Sequence, residues 1–421
     1  MADQALSSAT NFGVTIAVAR AVSPPEFGAF AVVYALSFAL LQLSRAMGTE
    51  PLVVRFSGAP DRERRTATES AAGAAVAVAV PGGAMTACAA LAFDGALRSA
   101  LLALAAVLPG LLLQDAWRFG FFAMGRPARA AANDLVWALA QVAAVGAVLA
   151  GGWTTAGAFV LAWGGAATLA AAFGFAQTGL RPRPGRLRAW LRQHSDLVPR
   201  YVGEFAVFRS SAQLTLYLVG AVAGLAALGS LRAAQVLLGP LNVVYLGATA
   251  FAVPEAARAG VTSPGRLGRL ALQVSGTLTV ISLAWGVCLL LLPDDVGRAL
   301  LGAMWPLARP LLVPVLIGAI ASAATVGPWV ALRALGAASA SLRARSTVAA
   351  INAVGGVSGA LLGGAPGAAY GLAAGSLASV AVWWQQHAKA KASLRVAPDG
   401  AVPAAPSLHS APNLVREVEA T

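Results

Sequence analysis

The chain has 421 residues, of which 58% are hydrophobic and only 11% are charged. Soluble domains carry about 25% charged residues, so this composition excludes a water-soluble protein of this length. In a soluble chain the formal net charge of +13 would favour nucleic-acid binding. In a membrane protein, loop topology and attraction to anionic lipid head groups explain the same excess, and we predict no nucleic-acid partner.

Twelve apolar segments divide the chain, and each can cross a hydrocarbon core about 30 Å thick, which takes about 20 apolar residues. The predicted spans cover residues 4–22, 27–47, 71–93, 99–122, 131–150, 154–176, 201–222, 226–253, 270–292, 311–332, 345–363 and 367–386. This pattern predicts an all-α polytopic membrane protein of about twelve transmembrane helices, in two six-helix lobes around a central cavity.

The basic residues predict the orientation of these spans. Twenty-four of the thirty Lys and Arg residues fall in connections or span ends on one side, the side that also holds both termini. Cytoplasmic loops retain Lys and Arg, so both termini are predicted to be cytoplasmic. Heavy use of Ala, and of Arg over Lys, is typical of a GC-rich bacterial genome, which indicates a bacterial plasma membrane.

The first span carries a stripe of polar side chains, mostly three or four residues apart. Its members are Gln4, Ser7, Ser8, Asn11 and Thr15. Such a stripe either lines a polar cavity or forms hydrogen bonds to neighbouring helices. The sequence leaves both interpretations open.

Polar residues also cluster at the predicted inner end of the fourth span. Asp115 and Arg118 lie three residues apart, beside Gln114, and Asp134 opens the next span. The spacing predicts an Asp115–Arg118 ion pair. The pair could act as a structural clamp or in cytoplasmic gating and ion coupling.

A basic connection at 179–200 divides the chain near its middle. We predict a first six-helix lobe at 1–178, a second at 201–387 and a disordered cytoplasmic tail at 388–421. Within the connection a short surface helix is expected, with Leu187, Trp190 and Leu191 facing lipid. The connection itself is predicted to be cytoplasmic.

Two arginines of the second half lie within predicted spans, where a charge is unfavourable and marks a functional site. Arg209 lies nine residues beyond Arg200, or roughly 13 Å deep at 1.5 Å per residue, and Gln213 follows on the same face. A guanidinium near the midplane needs a water-filled cavity or an anionic partner.

Arg232, in the eighth span, belongs to a longer stripe on one helical face. The other members are Gln235, Gly239, Asn242 and Thr249, with Leu246 filling the gap. The spacing of three, four, three and seven residues keeps them on one side of a helix. We therefore expect the outer part of this span to form a cavity wall.

The two halves are related in sequence. Val18–Gly28 matches Val219–Gly229 at an offset of 201 residues, and Cys88, Asp94 and Arg98 match Cys288, Asp294 and Arg298 at an offset of 200. Equal span counts give both halves the same orientation. Repeats of this kind place the substrate site between the halves, near the bilayer midplane.

No catalytic or metal-binding arrangement emerges from the sequence. The three histidines lie in the middle connection and the tail, without metal-ligand spacing, and no phosphate-binding P-loop is present. We predict neither an enzyme nor a cofactor. A monomer suffices for a cavity built within one chain.

Three segments resemble polysaccharide flippases, the O-antigen and teichoic-acid export branch of the multidrug/oligosaccharidyl-lipid/polysaccharide exporter superfamily. They are residues 3–41, in which Ser8, Asn11, Phe27 and Gly28 carry the likeness, Gln114–Trp137 and Ala227–Val244. The resemblance implies transport of a lipid-linked oligosaccharide between leaflets by alternating access. The peptidoglycan-precursor branch has fourteen spans, which counts against that substrate.

The resemblance gives the polar residues within the spans a common role. Arg209 and Arg232 are expected to hold the diphosphate, since guanidinium pairs well with phosphate oxygens. Gln235, Asn242 and Asn11 are expected to contact sugar, with Gln213 beside them. Membrane lipids, and glycosyltransferases or a polymerase of the same pathway, are the expected partners.

Two other functions stay open on the sequence alone. One is a multidrug or metabolite cation antiporter of the related branch, although the deep charges here are arginines. The other is a scaffold or enzyme of cell-surface glycan assembly.

Overall fold

The structure, a computed structural model, describes residues 2–204, 210–262, 264–335 and 337–396. Within these residues every regular element is helical, which confirms the predicted fold class. Eight helices are long and apolar enough to cross a membrane, or nine if the bent pair Leu225–Val236 and Gly239–Thr249 counts as one span. The chain is therefore a multi-pass membrane protein.

The first half contributes five of these candidate spans, preceded by one further helix, and the first of the five contains a π turn. Its helices are α1 (Ala2–Ala21), α2 (Pro24–Ser44), a π turn (Arg45–Thr49), α3 (Glu50–Phe56), α4 (Asp61–Ala90), α5 (Gly95–Ala123), α6 (Pro127–Ala150) and α7 (Ala156–Thr178). Pro24 and Pro127 open their helices, where the missing N–H costs nothing. Gly179 ends α7 at φ +63°, a left-handed conformation that favours glycine.

The middle connection and the second half follow. Their helices are α8 (Leu187–Gln193), α9 (Val198–Glu204), α10 (Ser210–Ala223), α11 (Leu225–Val236), α12 (Gly239–Thr262), α13 (Pro264–Leu290), α14 (Asp294–Leu301), α15 (Trp305–Ala308), α16 (Leu312–Ala334) and α17 (Ala338–Val396). Non-helical backbone at Gly363 and Gly364 breaks α17 into two passes, as the predicted spans require.

The tail begins later than predicted. Helix α17 continues to Val396, so residues 388–396 are helical and not disordered. Lys and Ala are good helix formers, and the helix therefore extends past its apolar span. The rest of the predicted tail, 397–421, lies outside the described residues. The division into lobes at 179–200 stays a prediction.

The short helix of the middle connection packs on protein and not in lipid, which corrects the expectation for Trp190. Its indole is only 4% exposed and stacks on Phe56 with ring centroids 5.8 Å apart. Its Nε1–H donates to the carbonyl of Met47, at 3.0 Å, in the π turn. A buried indole N–H needs an acceptor, and the bilayer core offers none.

The two halves meet at a reciprocal glycine contact. A Cβ at Gly28 would lie 1.9 Å from the carbonyl oxygen of Leu225, and one at Gly229 would lie 2.6 Å from that of Pro24. Both glycines and both opposing residues are related by the offset of 201. Helices α2 and α11 therefore cross at small residues that allow close backbone approach, with the reciprocity expected of a two-fold repeat.

Candidate functional site

A cavity of about 720 Å³ lies between the two halves. Helices α1, α2, α5, α6 and α7 form its first-half wall, and α11 and α12 form the opposite wall. Its polar lining residues are Asn11, Thr15, Tyr34, Ser37, Arg45, Gln114, Asp115, Arg118, Arg232, Gln235 and Asn242. The sequence placed the site between the halves, and this cavity occupies that position.

The first-half wall is ordered by aromatic contacts around Asn11. The Nε1–H of Trp163 donates to Asn11 Oδ1 at 3.2 Å, and Trp163 packs against Tyr34 with ring centroids 5.4 Å apart. Thr15 donates to the backbone carbonyl of Asn11 at 2.8 Å. Asn11 thus combines the two interpretations of the first span, because it forms an interhelical hydrogen bond and also lines the cavity.

The second-half wall contains a break between α11 and α12. The two helices bend by 56°, and the Nε1–H of Trp285 donates to the carbonyl of Leu237 at 3.0 Å, at the break. Arg232 and Gln235 lie before the break and Asn242 lies after it, yet all three line the cavity. Their helical spacing puts all three on one side, and the 56° bend does not separate them.

Arg232 is the one charged residue that the described lining contributes to this wall. It borders the central cavity and two smaller ones beside it. Among the described residues no carboxylate forms an ion pair with it. A guanidinium in this position can accept an anionic ligand without first breaking an ion pair.

The predicted ion pair between Asp115 and Arg118 does not form, because each residue pairs with another partner. Arg45 binds Asp115 side-on, with Nε to Oδ2 at 2.8 Å and Nη2 to Oδ1 at 2.6 Å. Arg118 faces Asp134 at 3.7 Å. The reason is geometric: a guanidinium on a neighbouring helix meets both carboxylate oxygens in plane, as the bidentate pair requires.

The polar groups behind this pair join α5 to α6 and α6 to α7. The Nε2 of Gln114 donates to Asp134 at 2.8 Å, and Asn133 donates to the carbonyl of Ala170 at 2.9 Å. Asn133 and Asp134 are buried. This network fits the structural clamp that the sequence left open for the end of the fourth span.

The cavity carries a positive balance. Its described lining contains the three arginines Arg45, Arg118 and Arg232 and a single acidic residue, Asp115, which Arg45 already binds. The sequence had placed Arg45 and Arg118 with the cytoplasmic span ends, so their part in the cavity was missed. The one available signal was that both fall within the bounds of predicted spans.

Of the predicted substrate-binding residues, Asn11, Arg232, Gln235 and Asn242 are brought together on one cavity. Arg209 and the side chain of Gln213 lie outside the described residues. Substrate binding by any of them remains a prediction.

The sequence matches no family model and no curated protein. The fold is similar to several solved transporters. An inward-facing multidrug resistance MATE family transporter of the MOP superfamily has a TM-score of 0.67 at 12% identity, over 92% of this chain and 95% of that one. The lipid II flippase MurJ, in an inward closed conformation, has a TM-score of 0.69 at 10% identity, over 93% and 89%.

A third similar structure is a MOP superfamily transporter from Pyrococcus furiosus whose binding pocket has reverse polarity, which suggests a different function for that protein. Its TM-score is 0.53 at 12% identity, over 94% of each chain. Similarity at such low identity shows that this chain shares the fold. It does not carry over a substrate.

Proposed function

We propose that this protein is a flippase that moves a lipid-linked oligosaccharide, a polyprenyl-diphosphate glycan, across the bacterial plasma membrane for cell-surface polysaccharide biosynthesis. Transport would occur by alternating access of the cavity between the halves. Both termini would lie in the cytoplasm, and glycosyltransferases of the same pathway would supply the cargo. Similarity to transporter folds and the resemblance of three segments to polysaccharide flippases support this function.

The observation that carries the proposal is Arg232. Its guanidinium faces the cavity, and no described carboxylate pairs with it. A diphosphate supplies the missing negative charge and the planar acceptor geometry that arginine favours. Gln235 and Asn242 lie on the same wall and offer amides to sugar hydroxyls. Arg209 is proposed as a second phosphate ligand.

A multidrug or metabolite cation antiporter is the competing function, and similarity to the MATE transporter favours it. A cationic substrate requires negative charge in the cavity. The one carboxylate of the described lining, Asp115, is already bound by Arg45 at 2.6 Å. A cation would therefore meet a net positive wall, and this charge balance favours anionic cargo.

The test is export in cells that depend on this gene for surface polysaccharide. Arg232→Gln should lower glycan output at least about tenfold, because hydrogen bonds to charged groups contribute about 1.5–3 kcal/mol and 1.4 kcal/mol is a factor of ten. Arg298→Gln, a change to an exposed arginine outside the cavity, is the matched control. Membrane levels of each variant are checked by immunoblot.

Wild-type glycan output from the Arg209→Ala, Arg232→Ala double variant would rule the assignment out. Drug resistance that rises on expression and falls in Asp115→Asn would instead identify the cation antiporter. The two results involve different residues and different cargo, so one set of strains separates the two functions.

A further inference from the structure

A second cavity, of about 460 Å³, lies within the second half of the chain. Helices α10, α11, α12, α16 and α17 form it. Arg232, Gln235 and Asn242 border both this second-half cavity and the central cavity. The bent helix pair α11–α12 is therefore a partition between the two cavities, and its polar stripe lines both of them.

The lining of the second-half cavity is polar but almost uncharged. Its hydroxyl and amide residues are Thr215, Gln235, Asn242, Tyr245, Ser322, Asn352 and Ser376. Arg232 is the one charged residue of the described lining, and that lining contains no carboxylate. Hard cations prefer carboxylate oxygens, so the donor set suits a neutral polyhydroxylated ligand better than a coupling ion.

Two of these polar groups are fixed in place. The hydroxyl of Tyr245 bonds the Ser282 hydroxyl at 2.6 Å and the carbonyl of Ala319 at 3.2 Å. Gly375 leaves space for the amide of Asn352, since a Cβ there would lie 2.3 Å from Asn352 Oδ1. Tyr245, on α12, is thus bonded to α13 and α16, and Asn352 packs against the second segment of α17.

The carboxamide of Asn352 has an unused acceptor. Its Oδ1 is buried and has no hydrogen-bond partner among the residues that the structure describes. Buried polar oxygens in proteins are nearly always satisfied, and Asn352 lines the cavity, so a rotation of its carboxamide would let a bound molecule supply the donor. A sugar hydroxyl supplies such a donor.

We propose that the second-half cavity receives the uncharged sugars of the cargo while Arg232 holds the phosphate at the partition. This inference rests on the proposed function and deepens it, because it assigns Asn352, Ser376 and Tyr245 to glycan recognition. The volume falls in the range of about 300–1,000 Å³ of small-molecule sites. The lipid tail and diphosphate stay on the central side of α11–α12.

The test measures binding of two probes to the purified full-length protein in nanodiscs. One probe is a polyprenyl diphosphate, and the other is the same lipid with a diphosphate-linked disaccharide. Wild-type protein should bind the glycosylated probe more tightly. The Asn352→Leu, Ser376→Ala double variant should lose at least about tenfold of affinity for the glycosylated probe and keep its affinity for the bare lipid.

Ser358→Ala is the matched control, because Ser358 lies on the same segment of α17 as Asn352 but is exposed. Tyr245→Phe is a milder variant, which removes one hydroxyl without changing the ring. If the double variant is not monodisperse on size exclusion, this single change provides the measurement. It should show the same selective loss.

Each other outcome overturns the inference in a recognisable way. If the double variant binds both probes with wild-type affinity, the sugars lie elsewhere. The proposed function then still stands, provided that Arg232→Gln abolishes binding of both probes. Wild-type protein that binds neither probe would overturn the proposed function as well. Probe binding that requires sodium, and that Asn352→Leu abolishes, would assign the cavity to a cation.

Discussion

Arg45 neutralises Asp115 from a neighbouring helix, and this pair decides the charge of the central cavity. Both side chains are largely buried, at 19% and 7% exposure. The guanidinium also lies over the ring of Phe119, 4.9 Å from its centroid, which shields the pair further from water. Because Arg45 already neutralises Asp115, the positive charge of Arg232 is available to an anionic cargo.

Removal of one partner of this pair should destabilise the protein more than removal of both. Asp115→Asn leaves the Arg45 charge in the wall uncompensated, a loss on the order of 3 kcal/mol for a buried pair. The Arg45→Gln, Asp115→Asn double variant should unfold at a higher temperature than the Asp115→Asn single variant. Thermal unfolding in detergent, arranged as a double-mutant cycle, measures this coupling.

The exposed pair Asp94–Arg98, 3.8 Å apart, provides the control. Surface ion pairs contribute little, so Asp94→Asn should leave the unfolding temperature unchanged. Strict additivity at Arg45 and Asp115 would show that the two side chains do not interact in the folded protein.

The sequence could predict Arg232, Gln235 and Asn242 because they repeat at helical spacing, and the bend between α11 and α12 leaves them on one side. Asn11 followed from the same kind of stripe. The partner of Asp115 could not be predicted in this way, since Arg45 lies 70 residues away and no local pattern encodes which helices pack together. Spacing therefore pointed to Arg118, the nearest cation on the same helix.

At the scale of elements, the middle connection is held to the first half through the π turn. Within this turn Glu50 N–H bonds Arg45 O, one residue further than in an α-helix. The carbonyl of Met47 is available to Trp190, at 3.0 Å, because Pro51, four residues further on, has no N–H to donate to it. Helix α8 thus bonds directly to the backbone segment that begins with Arg45, which the apolar pattern of α8 alone could not reveal.

Docking of α8 should weaken as the pH falls. Burial lowers the pKa of His194, outweighing the opposing backbone hydrogen bond to Trp190. Its Nδ1 lies 2.8 Å from that carbonyl, and its ring packs on Trp190 at 4.1 Å. Above the ordinary pKa of about 6.5 the imidazole is neutral whether docked or free. Below it the undocked form takes up a proton first, which favours release.

Hydrogen–deuterium exchange of Leu187–Gln193 measures this effect. Exchange protection, corrected for intrinsic rates, should be lower at pH 5.5 than at pH 7.5 in the wild-type protein. His194→Gln removes the titrating group and should make the protection independent of pH over this range. An equal pH response in both proteins would assign the effect to another group.

At the scale of the whole molecule, the contact between α2 and α11 is reciprocal, as a two-fold rotation between the halves requires. Phe27 N–H bonds Ser23 O at the start of α2, and Leu228 N–H bonds Gly224 O at the start of α11, again at the offset of 201. With six predicted spans in each half, both repeats take the same orientation. Such an axis runs along the membrane normal, and the cavity lies between the repeats.

This symmetry and the distribution of basic residues together predict the topology. Asp94, just before α5, and Asp295, in the first turn of α14, are both exposed and lie 201 residues apart, and Gly185 is exposed on the basic connection. In a background with Cys88→Ser and Cys288→Ser, single Asp94→Cys and Asp295→Cys variants should react with a membrane-impermeant maleimide in intact cells. Gly185→Cys should react only after permeabilisation.

Opposite labelling of the two aspartate positions would mean that the halves are inverted. Labelling of Gly185→Cys from outside would reverse the orientation that the arginines predict.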